Sequence, residues 1–286
     1  TELKSLLKDF ERFTQQAREQ GPSSLNEATS SDYFFSMAGT GTYLNRVTIP
    51  TTFGLTANPT DLNGDGNVDL FNAGGVAFGN GSGLFSAAHT QPGTFLSAQI
   101  ADLNGDGSAD MIGYTSDSIV FALNDGSGTF STNSTFIPQA GDPITGFSFG
   151  DVDGDGDIDV VTTGAGSTVT VMVNDGSGTF TLGSSFEDNG LVGFGVEVVD
   201  LNNDGLKDIV TYDTGYHLGY YLSQGDGTFA AEATITSVVG STLTSGDLDG
   251  DGDPDLIVYN VAAGAINVIR NNGSSWTTSA LTTFGS

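Results

Sequence analysis

Cysteine is absent from this sequence, so no disulfide holds the fold together. Basic residues are scarce: seven Lys and Arg stand against 35 Asp and Glu, a formal net charge of −28. A surface so acidic argues against nucleic acid or an anionic membrane as partner. No apolar run approaches the roughly 20 residues of a membrane span. Histidine is limited to His89 and His217, neither in a recognisable catalytic motif, and no Gly-x-Ser-x-Gly elbow is present. With its acids largely committed elsewhere, as shown next, the chain reads as a binding or structural protein rather than an enzyme.

Glycine, by contrast, is abundant at 42 residues, and Ser, Thr and Asn are common. That composition alone would fit disorder, but 37% hydrophobic and 10% aromatic content points to a turn-rich all-β fold. A chain of 286 residues can bury a substantial core, as one large β domain or two smaller ones.

The acids are not scattered. A nine-residue stretch recurs five times, at Asp61–Asp69, Asp102–Asp110, Asp151–Asp159, Asp200–Asp208 and Asp247–Asp255 (loops one to five). Position 1 is the first Asp of each. Position 3 is Asn63, Asn104, Asp153, Asn202 or Asp249, and position 5 is Asp65, Asp106, Asp155, Asp204 or Asp251. Position 9 is Asp69, Asp110, Asp159, Asp208 or Asp255, and position 6 is always glycine. Hard oxygen ligands at alternating positions, around a glycine that permits a sharp turn, suit Ca²⁺, which takes six to eight oxygens. Without a cation the crowded carboxylates would repel one another. The loops hold 19 of the 35 acids, so about five calcium ions would cancel about ten charges.

Two other calcium designs are excluded. An EF-hand needs Glu at position 12, where this chain has Asn72, Gly113, Thr162, Thr211 and Val258. A nonapeptide β-roll repeats every nine residues, whereas these loops start 41, 49, 49 and 47 residues apart. Each loop instead feeds a short apolar run such as Val160-Val161 or Ile209-Val210, which reads as a strand. About twenty residues after each loop start comes a glycine turn ending in an aromatic, as in Asn124 to Phe130 and Asn174 to Phe180, with Trp276 closing the last. Such turns between alternating hydrophobics are hairpin signals. In the third unit the four strands are expected near 146–150, 158–162, 169–173 and 179–184. Four strands per repeat of 40 to 50 residues fits the blade of a β-propeller.

With these loops and the Gly-(Asp/Ser)-Gly-Thr-Phe turns, the chain from about Phe53 onward resembles the integrin-type FG-GAP, or VCBS, calcium-binding propellers. The resemblance implies one ion per loop, held at positions 1, 3, 5 and 9 and by the main-chain carbonyl of position 7, here Asn67, Ser108, Asp157, Leu206 or Asp253. It also implies a recognition or adhesion module outside the cell, taking a glycan or surface-protein ligand. A structural subunit assembled through its N-terminus, or a polysaccharide lyase, are the alternatives. Ligand charge ranks loops three and five tightest, and loop four weakest because Asn203 and Lys207 replace glycine and a neutral residue.

The first 50 residues differ. Leu3, Leu6, Phe10, Phe13 and Ala17 make one helical apolar stripe, predicting an amphipathic helix over 1–22 that docks on its own domain or assembles chains. A polar linker is expected over 23–31, and the propeller over 32–286. Residues 32–37 and 42–49 resemble the last two strands of an extra blade without a metal loop, so the expected ring is five complete blades plus a half-blade.

Overall fold

The computed structural model describes residues 30–33, 47–50 and 58–281, apart from 74, 83–84, 87–92, 139, 189–192, 241 and 261–264. Every element among them is a strand. The chain is an all-β propeller whose five blades are successive antiparallel meanders. Blade one pairs β3 (Asn58–Thr60), β4 (Asp69–Asn72) and β5 (Gly75–Ala77), and among the described residues its fourth position is marked by a bridge between Gly79 and Phe85. Blade two is β6 (Ser97–Ala101), β7 (Asp110–Tyr114), β8 (Ile119–Asn124) and β9 (Phe130–Phe136). Blade three is β10 (Ile144–Gly150), β11 (Asp159–Gly164), β12 (Thr168–Asn174) and β13 (Phe180–Glu187). Blade four is β14 (Gly193–Val199), β15 (Asp208–Asp213), β16 (His217–Tyr221) and β17 (Ala233–Ser237). Blade five is β18 (Thr242–Gly246), β19 (Asp255–Asn260), β20 (Ala265–Asn271) and β21 (Trp276–Leu281). The four expected strands of the third unit all exist, each shifted or extended by one to three residues.

The N-terminal expectations fare differently. The helix over 1–22 lies outside the described residues. The linker expected to reach residue 31 already contains strand, because β1 (Ser30–Tyr33) pairs antiparallel with β2 (Val47–Pro50). Among the described residues that pair is a separate two-stranded sheet of four residues a side, so a sixth half-blade is not supported.

Burial explains the sequence pattern. Every residue of β4, β11 and β15 is buried, because the second strand of a blade is covered on both faces. Each of these strands opens with Asp and a pair of large apolar residues (Leu70-Phe71, Val160-Val161, Ile209-Val210), whereas the outer strands β9 and β13 are mostly exposed and carry Ser and Thr. Four apolar clusters sit between consecutive blades. Phe71 meets Met111, Phe121 meets Phe147 and Met172, Val161 meets Ile209, and Tyr212 meets Leu256 across these junctions.

The aromatic that ends each glycine turn reaches back to the preceding blade. Phe130 packs on Phe71, Phe180 stacks on Phe121 at 3.7 Å, Phe229 meets Phe186, and Trp276 meets Tyr220. A polar latch takes the same direction. The Asn124 side-chain amide donates to the Leu62 carbonyl at 2.9 Å, Asn174 to Leu103 at 2.8 Å, and Asn271 to Leu201 at 2.8 Å. In blade four Ser223 Oγ donates to the Val152 carbonyl at 3.2 Å. Each acceptor is position 2 of the previous blade's acidic loop. Asn174 also accepts from Gly178 N–H at 3.1 Å and donates to the Ile158 carbonyl at 3.2 Å. Replacing Asn174 by Ala strands these buried groups, at a cost of about 1–3 kcal/mol each. We expect Asn174→Ala to lower the unfolding free energy by about 2–4 kcal/mol in a urea titration. An unchanged midpoint would make the latch incidental.

Candidate metal centre

All five acidic loops connect the first strand of a blade to the second, and position 9 is in each case the first residue of that second strand. The loops share one hydrogen-bond scheme. At position 1, Asp61, Asp151 and Asp247 each accept from the N–H of position 4 at 2.7–2.9 Å and of position 6 at 2.8–3.1 Å. Asp102 and Asp200 accept from position 6 at 2.9 and 3.0 Å. Position 5 accepts the N–H of position 7 in every loop, at 2.7–2.9 Å, from Asn67, Ser108, Asp157, Leu206 and Asp253. The chain therefore winds tightly around its own carboxylates. Glycine at position 6 permits this, with φ between 82° and 96°. At position 4 of loop four Asn203 adopts φ 57°, and its amide donates to Asp253 Oδ1 of loop five at 2.6 Å.

Position 9 has a second task. Asp69, Asp110, Asp159, Asp208 and Asp255 are completely buried. One oxygen accepts the N–H of position 2 in the same loop, at 2.9 Å in four loops and 3.2 Å in loop five. The other accepts an N–H just past or at the end of the third strand, from Gly79, Asn124, Asn174, Ser223 and Asn271, at 2.7–2.9 Å. A carboxylate oxygen has two acceptor sites, so one oxygen can hold both an N–H and an ion. Burial raises the carboxyls of Asp110, Asp208 and Asp255 and lifts Asp159 to about 6. At position 5 the opposite holds: the N–H groups of Asn67 and Ser108 keep Asp65 and Asp106 below the usual range.

The donor set fits a hard cation. Oxygens of Asp151, Asp153 and Asp159 lie within 4.8 Å of one another, as do those of Asp247, Asp249 and Asp251. Loops one, two and four carry three Asp and an Asn at the same positions (Asn63, Asn104 or Asn202), and their acids form no such convergent group among the described residues. Asp102 Oδ1 is buried and has no hydrogen-bond partner, an orphan acceptor that a cation would satisfy.

A cleft of about 480 Å³ lies between blades three and four, lined by Ser184, Phe186, Glu187, Tyr221, Phe229 and Glu232 among others. Behind it the Tyr221 hydroxyl donates to Asp188 Oδ1 at 2.7 Å, and burial raises the pKa of both groups. His217, at the start of β16, sits 3.3 Å from Glu232 and 3.7 Å from Asp213, with Nε2 3.1 Å from Thr234 Oγ1. His89 is outside the described residues. No sequence motif marks this cleft, because its two walls come from segments some forty residues apart.

Residues 102–162, 151–211 and 200–258 match the model of the FG-GAP-like repeat. No curated protein sequence matches the chain. Among solved structures, one describing specific recognition of non-reducing terminal N-acetylglucosamine by an Agrocybe aegerita lectin has a TM-score of 0.63 and 21% identity, covering 89% of this chain and 77% of that one. The Photorhabdus luminescens Tc holotoxin pore aligns with a TM-score of 0.42 and 20% identity, over 84% of this chain and 14% of that one.

The buried carboxyls of Asp110, Asp159, Asp208 and Asp255 contribute a pH dependence to the metal-free protein. Their raised pKa means the folded state holds protons more tightly than the unfolded chain, so stability is gained as pH falls and lost as it rises through about 6 for Asp159. In chelator, the melting temperature should climb between about pH 7 and about pH 5. A continuous fall over that range in thermal melts would contradict the assignment.

Proposed function

This chain belongs to the FG-GAP-like repeat family, and on that basis we propose that it is a calcium-stabilised propeller that recognises a ligand outside the cell. Positions 1, 3, 5 and 9 of each loop, with the position-7 carbonyl, would hold one Ca²⁺ apiece. The ion supplies charge that lets these carboxylates converge, and the chain's own N–H groups orient them. Loops of this kind fill at the millimolar calcium found outside cells, which supports a secreted or surface location.

Recognition is carried by the cleft between blades three and four. It presents the rings of Phe186, Tyr221 and Phe229 with the carboxylates of Glu187 and Glu232, apolar faces beside hydrogen-bond acceptors. Sugars offer the complement, C–H faces and ring hydroxyls that donate. The propeller of the Agrocybe aegerita lectin makes a glycan the first ligand class to test. The reading is of binding rather than turnover.

Two measurements check it. A ligand at about 100 times its Kd adds about 2.7 kcal/mol per site, so chelating calcium at neutral pH should lower the melting temperature by on the order of 20 °C. An unchanged melt removes calcium from the account. On a glycan array in calcium, read well below the variant's own melting temperature, the protein should bind a defined sugar class, and Phe229→Leu should weaken that binding at least about tenfold, or about 1.4 kcal/mol. Full binding by the variant would move recognition away from this cleft.

A further inference from the structure

Loop five carries the same five aspartates as loop three, so ligand charge ranks the two together. Their surroundings separate them. Arg270, on β20, brings Nη1 to 2.6 Å from Asp249 Oδ2 at position 3 and 3.5 Å from Asp255 Oδ2 at position 9. A guanidinium does not give up its proton, so this is a fixed positive charge set among the ligands of one loop. The same place in the other blades, one residue before the latch position, holds Phe78, Leu123, Val173 or Leu222.

The loop's geometry registers that charge. In loops one to four the position-3 side chain accepts the N–H of position 5, at 3.0–3.2 Å. Asp249 accepts from Arg270 instead. The hydrogen bond from position 2 to position 9, 2.9 Å elsewhere, is 3.2 Å in loop five. The convergent acids differ as well. Loop three gathers Asp151, Asp153 and buried Asp159, whereas loop five gathers the exposed Asp247, Asp249 and Asp251 and leaves Asp255 aside.

We propose that Arg270 is a tethered counter-cation that stands in for part of the metal's charge in loop five. The loop then keeps its shape without calcium and binds calcium more weakly than loop three, against the ranking by ligand charge alone. This rests on the calcium reading above. A positive charge already paired to two ligands must be displaced or tolerated by an incoming divalent ion, and like charges oppose each other there.

Trp276 places a reporter beside this loop, with loop four as its other neighbour. It is the chain's single Trp, pairs with Asn271 next to Arg270, and follows the turn whose Gly273 abuts Asp253. Terbium emission sensitised through Trp276, excited where tyrosine does not absorb, reports loops four and five; an Asp200→Asn/Asp204→Asn background silences loop four, and calcium displacement of terbium then gives the calcium affinity of loop five. Total calcium stoichiometry comes from calorimetry on the full chain. In that background with Arg270 in place, the Trp276 signal should rise only after most of the ions have bound. Arg270→Gln should move its midpoint to about tenfold lower concentration, while Arg270→Lys, which keeps the charge, stays near the Arg270 protein. A signal from the Arg270 protein that saturates with the first ions overturns the proposal whatever the variants do, and so does an Arg270→Gln midpoint equal to that of the Arg270 protein. Calcium binding at none of the loops would sink the calcium reading and this one together. Binding elsewhere with an unshifted loop-five midpoint sinks this one alone.

Discussion

Asp69, Asp110, Asp159, Asp208 and Asp255 are shut away from water, and a buried carboxylate is tolerated only when its oxygens are supplied with donors. Each of them finds one donor in its own loop and another at the far end of the third strand. One side chain therefore fixes the loop, starts the second strand and anchors the hairpin beyond it. The blade is arranged around that need. Its strands bury their apolar faces only once the loop has been wound back far enough to present an N–H to the carboxylate beneath it.

The same winding draws the remaining carboxylates outward and together. Position 5 is exposed in every loop, positions 1 and 3 are half-buried or exposed, and position 9 is buried, so the carboxylates run from solvent down to a buried one. Backbone N–H groups partly offset the negative charge, and a divalent ion would offset the rest. Much of the net charge of −28 is thus placed where attraction to a cation exceeds mutual repulsion.

How much of this could be read beforehand depends on distance along the chain. The loops, the turns and the four-strand unit were legible because their residues lie within one repeat and recur in register. Asn124, Asn174 and Asn271 looked like turn residues, and they are, but their second role depends on a carbonyl 62 to 71 residues away. Arg270 escaped notice for a similar reason: it follows Asp249 by 21 residues and no other blade has a counterpart. The half-blade is not supported: among the described residues, 30–33 and 47–50 pair with each other in a sheet of their own, and most of the two runs lies outside the described residues. The cleft, made where two repeats abut, has no local signal at all.

The latch has a consequence for how such a chain can grow. Every unit contains both halves of its junction, a donor at the end of its third strand and an acceptor carbonyl at position 2 of its loop. A tandem duplication of one unit therefore creates a new junction that is already compatible, with no second change needed to make the copies adhere. The exception lies at the first blade, where Gly79 occupies the donor's place and offers no side chain to reach backward. Lineages that lengthen this array would then gain most readily by copying interior units, leaving that leading blade where it stands.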